Sequence, residues 1–536
     1  MKFCNLYIIF LTILLLLTAC QSTDTSNYSN NKKKFFRYNQ SSGITSLDPA
    51  FAKDQATIWA TTQLFDGLVQ LDENLNVQPA IAKSWSISND GLIYTFILHD
   101  DVRFHNHEQF KNEIGRRVTA NDFVYSFNRI VDDAVASPGR WIFTDRLDEV
   151  EPFKAVDENT FQLKLKKPFR PILGILTMPY CYAVPKEVVA HFGKSFRTNP
   201  VGTGPFKFKV WKENEVLVLE KNDNYYETNK PYIDGVRISF FDTKKTEYLK
   251  FKDGALDFIS GIDATFKDEM LTKTGTLLPE LNSQFNLYKA PFLNSEYVAF
   301  NMENDHPVIK NKKVRQAINY GFDREKMLQY LRNNIGRPAT AGFIPAGLPS
   351  FNPQVVKGYY YDVNKAKQLL KEAGYPNGEG LPNIKLVTNA SYQDLGTYIT
   401  KALANIGLNV DMEINQSSFL RQMMVKGEVD FFRGSWIADY PDGENFLTVF
   451  YGGNPAPPNY TRFKNKQFDK LYKEALTTND NGERFSLYHQ MENILIEEAP
   501  VVPLFYDELT LFTQKRVNNF KANAQNLLVL KNVKLQ

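Results

Sequence analysis

The chain has 536 residues, enough for roughly two to four domains at ~100 to 200 residues each, and its 43% hydrophobic and 14% aromatic content can fill a large core and still line a pocket with rings. Its 63 Lys and Arg against 60 Asp and Glu leave a formal charge of +3. With no long basic run beyond Lys32-Lys33-Lys34, nucleic acid and acidic polymers have no electrostatic footprint here.

At the start, Lys2 precedes the apolar run Leu6 to Leu17, too short for a comfortable bilayer span and right for the core of a signal peptide. The run ends Leu17-Thr18-Ala19-Cys20, which resembles the bacterial lipobox. That resemblance implies a lipoprotein signal peptide over 1–19, cleaved before Cys20, with lipid attached to Cys20. Gln21 to Asn31 is polar and without period, so 20–34 reads as a flexible tether, and the folded body is expected to begin near Phe35. Cys181 is then the only cysteine left in the body, which rules out an intrachain disulfide there.

Further along, Thr95 to Leu98, Phe161 to Leu165, Phe206 to Val210 and Val216 to Glu220 alternate or cluster apolar residues between turn signals and predict antiparallel or mixed sheet. The turn Val201-Gly202-Thr203-Gly204-Pro205 lacks the following helix and the Lys-Ser/Thr of a phosphate loop, so it reads as a domain-crossing turn. His105-Asn106-His107-Glu108 superficially resembles a metal cluster. A metal needs three or four convergent ligands, so a surface turn with a local hydrogen bond from His105 is the expectation. No His-Glu-x-x-His, no Gly-x-Ser-x-Gly elbow and no Cys/His nucleophile pattern occurs.

The clearest architecture lies between Asp362 and Asp439. Asp362 can cap a helix with Ala366, Leu369, Leu370 and Ala373 on one face, stopped by Gly374 and Pro376. A strand Ile384 to Thr388, a helix from about Gln393 to Ile406, a strand Val410 to Ile414, a short helix around Phe419 to Val425 and a strand beginning at Asp430 follow. This alternation is the signature of an open α/β sheet, whose ligands gather beyond the carboxyl ends of its strands. Asp439 lies a few residues past the last of these strands, in Arg433-Gly434-Ser435-Trp436-Ile437-Ala438-Asp439-Tyr440-Pro441-Asp442. A carboxylate in such an apolar, aromatic run costs several kcal/mol to desolvate unless an internal Lys or Arg, or an incoming ligand, supplies positive charge.

An ordered set of segments now carries a resemblance over nearly the whole mature chain. They are Ser46 to Pro49, Leu64 to Leu68, Pro79 to Trp85, Asp90 to Phe96, Phe104-His105, Val118 to Ser126, Val201 to Phe206, Asn222 to Tyr226, Gly254 to Asp257, Val314 to Asn319, Phe322 to Arg324 and Trp436 to Pro441. The set resembles bacterial extracellular solute-binding protein family 5, the substrate-binding lipoproteins of peptide and oligopeptide ABC transporters. Trp85, Tyr94 and Phe96 read as core aromatics, and Asp323-Arg324 as a helix start with a charge pair.

The resemblance implies an α/β fold like the type II periplasmic binding proteins: two lobes around a hinged cleft with an additional inserted domain. Lobe I would take 35–62, 186–288 and 506–536, the inserted domain 63–185, and lobe II 289–505, with hinge crossings near Ala290 and Phe505. It implies no enzyme and no cofactor, but a monomer, lipid-anchored and extracytoplasmic, that captures oligopeptides and delivers them to permease subunits driven by cytoplasmic ATPases.

The residues implied for the ligand begin with Asp439, on the peptide α-amine. Backbone around Ser435, Trp436 and Ile437 would pair with an extended ligand as an added strand. Arg433 would meet the ligand carboxylate through its bidentate fork, with a pairing to Asp430 or Asp442 as the alternative. Lys53, Asp54 and Gln55 would line the opposite side, and Trp141 would wall it. Ser417 and Met424 stand where close oligopeptide relatives carry a Trp and a second Arg. Other cargo of the same fold (murein peptide, haem or a nickel chelate) and a lipid-anchored hydrolase using Asp439 and Asp442 are the alternatives.

Overall fold

The computed structural model describes residues 33–263 and 266–536. Contacts divide the chain into Met1–Lys34, of which only residues 33 and 34 are described, and Phe35–Gln536. The expected signal peptide, Cys20 and most of the tether lie outside the described residues. Among the described residues no helix is long and apolar enough to cross a membrane.

The strands of Phe35–Gln536 include β1 (Phe35–Asn39), β2 (Val69–Leu71), β3 (Val77–Pro79), β4 (Ala82–Ile87), β5 (Ile93–Leu98), β6 (Phe153–Ala155), β7 (Thr160–Lys164), β8 (Phe206–Lys212), β9 (Val216–Lys221), β10 (Gly235–Ser239), β11 (Phe258–Ser260), β12 (Phe285–Phe300), β13 (Arg337–Pro338), β14 (Ile384–Thr388), β15 (Val410–Ile414), β16 (Phe431–Ile437) and β17 (Val501–Gln514), and a short pair, Val517–Asn518 with Lys534–Leu535, lies near the C-terminus. One sheet runs β15-β14-β16-β12-β17-β11-β1-β10-β9-β8, with β13 also on β17. The inserted stretch carries its own antiparallel sheet, β4-β5-β7-β6, and the β2–β3 hairpin. In β5 alternate residues are buried, as the period-2 pattern requires of a strand with one face on a core.

β12 and β17 are the longest strands among the described residues, 16 and 14 residues. Their antiparallel register holds from Phe285↔Gln514 to Pro291↔Glu508, breaks, and resumes at Ser295↔Tyr506. On one side of the break β17 pairs with β11, and on the other β12 pairs with β16. Pro291 has no N–H to give a ladder, and a bulge bends a strand, which accounts for the break in the pairing there. Apolar clusters lie on both sides of the lobe II sheet, one under Phe343, Phe432 and Phe446, the other under Phe300, Ile318 and Leu403.

The helix and strand order from 362 to 437 follows the sequence pattern. Asp362 caps Val363–Glu372 by accepting from the Lys365 N–H at 2.9 Å, and the helices Gln393–Ala404 and Ser417–Lys426 separate β14, β15 and β16. Two details differ. Asp323 caps its helix, but Arg324 is not paired with it: the buried guanidinium donates to the carbonyls of Pro503 and Asn319 and stitches lobe II's helices to β17.

The second difference is His105, which sits in no surface turn. It is buried, with Nε2 3.0 Å from the Gly204 carbonyl and its own N–H donating to Gly202 O at 2.7 Å. Burial pulls its pKa down to about 4, and it acts as a neutral strut on the glycine turn. The turn itself needs glycine: a Cβ at Gly202 would stand 2.0 Å from the Leu64 carbonyl oxygen. Among the described residues no cluster of three or more His, Cys, Asp or Glu could hold a metal.

In lobe II the carboxyl of Glu492 is fully buried and accepts from the N–H groups of Phe343 and Ile344, both at 2.8 Å. Desolvation pushes its pKa up to about 8. The folded state therefore holds a proton that the unfolded carboxyl releases near 4.5, and stability falls as pH rises from about 4.5 to about 8. Glu492→Gln keeps the acceptor without the charge. Thermal denaturation should show its Tm above wild type at pH 8 and no gain at pH 4; a constant offset at both pH values would refute the buried-proton account.

Candidate functional site

The stretch that follows β16 is fixed by one buried amide. Asn445 Oδ1 accepts from the Trp436 indole N–H at 3.0 Å and from the Asp439 backbone N–H at 3.2 Å, so strand end and turn are held as one piece. Two acids three residues apart then meet opposite fates. Asp442 is neutralised inside lobe II: Arg484 reaches Oδ2 at 2.6 Å and the Tyr488 hydroxyl donates to Oδ1 at 2.7 Å. Asp439 pairs with no cation among the described residues.

Asp439 is exposed to solvent, with protein close enough around its carboxylate to desolvate it in part. Desolvation raises its pKa, opposed by a hydrogen bond with Asn445. Its neighbours come from the far side. Burial, and then the charges of Asp439 and Asp54, push the Tyr180 hydroxyl up to about 12, which places Tyr180 in the field of both carboxylates. Trp141 is 37% exposed and stacks on Tyr440 with ring centroids 6.5 Å apart. Tyr440 itself is buried in the apolar cluster that holds Phe96, Phe161 and Tyr180, so the turn after Asp439 is anchored there.

The other expected residues fall as follows. Asp54 caps the helix Gln55–Leu64, accepting from Thr57 N–H at 2.9 Å. Gln55 is exposed and donates to the Asn526 carbonyl at 3.1 Å; Lys53 is exposed beside it. Ser435 is half-buried and Ile437 is 53% exposed. β14 pairs with β16 only at Phe431 and Phe432, so from Arg433 to Ile437 the edge of β16 away from β12 meets no other strand among the described residues. That edge offers backbone donors and acceptors to an extended ligand. Ser417 is exposed at the start of its helix, whereas Met424 is buried in the apolar cluster around Phe432.

Arg433 pairs with neither Asp430 nor Asp442. Its Nη2 donates to Glu296 on the neighbouring strand β12, and its guanidinium lies over the Tyr392 ring, 3.3 Å from the centroid. Asp430 instead accepts from Asn304 at 2.5 Å. None of the expected ligand residues lines the cavity of about 640 Å³ between the β2–β3 hairpin and the C-terminal segment, whose wall includes Thr62, Asp66, Gln70, Glu227, Tyr232 and Lys531. There desolvation lifts Asp66 to about 6. Sequence reasoning missed Tyr180, Asn445, Glu296 and Asp66. Asp66 carried a signal, an acid between Phe65 and Gly67 inside an apolar run; Asn445 and Glu296 carried none.

The sequence profile of the bacterial extracellular solute-binding proteins, family 5 (middle), matches residues 76–458. The chain belongs to this family. It is 29% identical over 516 residues to heme-binding protein A of Haemophilus influenzae, covering 91% of each chain, and 27% identical over 503 residues to the dipeptide-binding protein DppE of Bacillus subtilis, covering 89% of this chain and 88% of that one. The periplasmic binding protein DppA of Helicobacter pylori, solved in complex with the peptide STSA, superposes with a TM-score of 0.72 at 26% identity, over 94% of this chain and 98% of that one. The fold is thus the α/β, type II binding-protein fold, two lobes about a cleft with an added domain, and the family is one of solute-binding proteins outside the cytoplasm.

The electrostatics of Asp439 make a test that needs no ligand. A carboxylate inside a structural ion pair leaves an uncompensated charge when replaced, at a cost of about 3–5 kcal/mol. Asp439→Asn removes a desolvated charge that nothing neutralises, so denaturant unfolding of the ligand-free protein should change by less than ~0.5 kcal/mol or shift toward greater stability. A loss of several kcal/mol would mean that Asp439 is structural.

Proposed function

We propose that this protein is the lipid-anchored, extracytoplasmic peptide-binding component of an ABC importer. The observation that carries the reading is the Asp439 carboxylate, desolvated at the cleft and without an internal cation, at the end of an open strand edge. A peptide supplies both missing partners. Its α-ammonium meets Asp439 and its main chain adds to the edge of β16, antiparallel, which gives affinity without reading side chains.

Lobe I is taken as 35–62, 186–288 and 506–536, the inserted domain as 63–185 and lobe II as 289–505. The two lobes close about the break in β12 and β17 and bury the ligand. Closure gains from contacts made only in the closed state, and the permease with its ATPases reopens it. The protein acts as a monomer, without cofactor or catalysis, held to the membrane through Cys20. The peptide-binding names of DppE and DppA support peptide as cargo.

Native mass spectrometry of the purified protein should reveal co-purified peptides, and added peptide should raise the Tm. Asp439→Asn should weaken peptide binding by about 2–5 kcal/mol in calorimetry, the range for truncating one member of a desolvated charge pair. Unchanged peptide affinity in Asp439→Asn would refute the amine site. Heme-binding protein A keeps haem as a second cargo; a haem titration followed in the Soret region decides it, and saturable haem binding with no peptide binding would replace the peptide reading.

A further inference from the structure

Resting on the peptide reading, the geometry points to Glu296 as the residue that sets specificity at the far end of the ligand: by neutralising Arg433 it lets this protein accept peptides whose carboxyl end is blocked or extended. A ligand with its amine on Asp439 runs back along β16 toward Arg433. From Ile437 to Arg433 the edge spans four steps, or ~13 Å at ~3.3 Å per residue, the reach of a short peptide. Its carboxylate would then come to the one cation on this edge, which is why an arginine at 433 invites the idea of a carboxylate clamp.

That arginine is already engaged on several sides. Its Nη2 donates to Glu296, whose side chain is 4% exposed, while the arginine side chain itself is 10% exposed. Tyr392 covers the guanidinium face at 3.3 Å. The Nε–H is buried with no acceptor. Glu296 is held in turn: Asn294 Nδ2 donates to its Oε1 at 3.0 Å and reaches toward Asp507 at 3.4 Å, and Asp507 is paired with Arg332 at 2.6 Å. Two cations and two anions thus close into a network without net charge, anchored on β12 and β17 beside the hinge break.

A ligand carboxylate entering this network would be a third anion facing two cations. It could pair with Arg433 only by displacing Glu296, leaving that carboxylate buried and uncompensated, which is the costly way to break a buried pair. A neutral end, such as a carboxamide or a continuing peptide bond, brings no such conflict. The discrimination works through the partner already in place rather than through a new repulsive group.

The test is calorimetric binding of tri-, tetra- and penta-alanine as free acids, as C-terminal amides and as N-acetylated acids, to the wild-type protein and to Glu296→Gln. In the wild type the acid and amide of the preferred length should agree within ~3-fold, while N-acetylation weakens binding ~30-fold or more by removing the ammonium. In Glu296→Gln, which frees Arg433, the acid should gain ~10-fold over the amide. A wild-type preference of ~30-fold or more for the acid would overturn the proposal, as would a Glu296→Gln protein that still ignores the difference. If Glu296→Gln does not fold, the wild-type acid-to-amide ratio alone decides. Failure of every peptide to bind would overturn the peptide reading itself, and this inference with it.

Discussion

A single uncompensated charge organises this molecule. Asp439 is partly desolvated and has no cation partner among the described residues, while Asp442, three residues on, is satisfied by Arg484 and Tyr488. The position of Asp439 is set by Asn445, whose carbonyl oxygen fastens the Trp436 indole and the backbone of Asp439 together. A desolvated carboxylate is unfavourable in the empty protein, and that makes it a good receptor: an ammonium arriving there relieves a cost already present. Binding sites commonly store strain or desolvation in this way and release it on occupation.

The rest of the fold serves to bring that charge up to a second surface. β12 and β17 run the length of the central sheet, and their pairing is broken at Pro291 to Ser295 and shifted again at Glu296 to Tyr297. Tyr440, next to Asp439, is buried in the apolar cluster that holds Phe96, Phe161 and Tyr180 and stacks on Trp141, which anchors the turn that carries the carboxylate. The Arg433–Glu296 pair joins β16 to β12 close to that break in the register.

Much of the fold could be read from residues alone because it rests on local rules. Asp362 caps a helix, Ile384 to Thr388 and Val410 to Ile414 are strands, and the helices between them follow the 3.6-residue period. What could not be read depends on partners far apart in sequence. His105 looked like a local turn residue because nothing nearby reveals that Gly202 and Gly204, nearly a hundred residues later, need its ring. Arg433 was assigned possible partners among the nearest acids, Asp430 and Asp442, whereas the β12–β16 register sets it across from Val298, two residues from Glu296, and its side chain reaches diagonally to that carboxylate, 137 residues away in sequence. Asp439 was legible for the opposite reason: an acid just past an apolar strand in an α/β unit announces itself by chemistry, whatever its distant neighbours.

The ionisation of Asp439 itself is the most direct measurement. Carboxyl carbon NMR titration of the purified, ligand-free protein, repeated with saturating peptide, should place the Asp439 pKa above the ordinary aspartate range when empty and drop it below that range when the ammonium is bound. An ordinary value in the empty protein that does not move on binding would contradict the account.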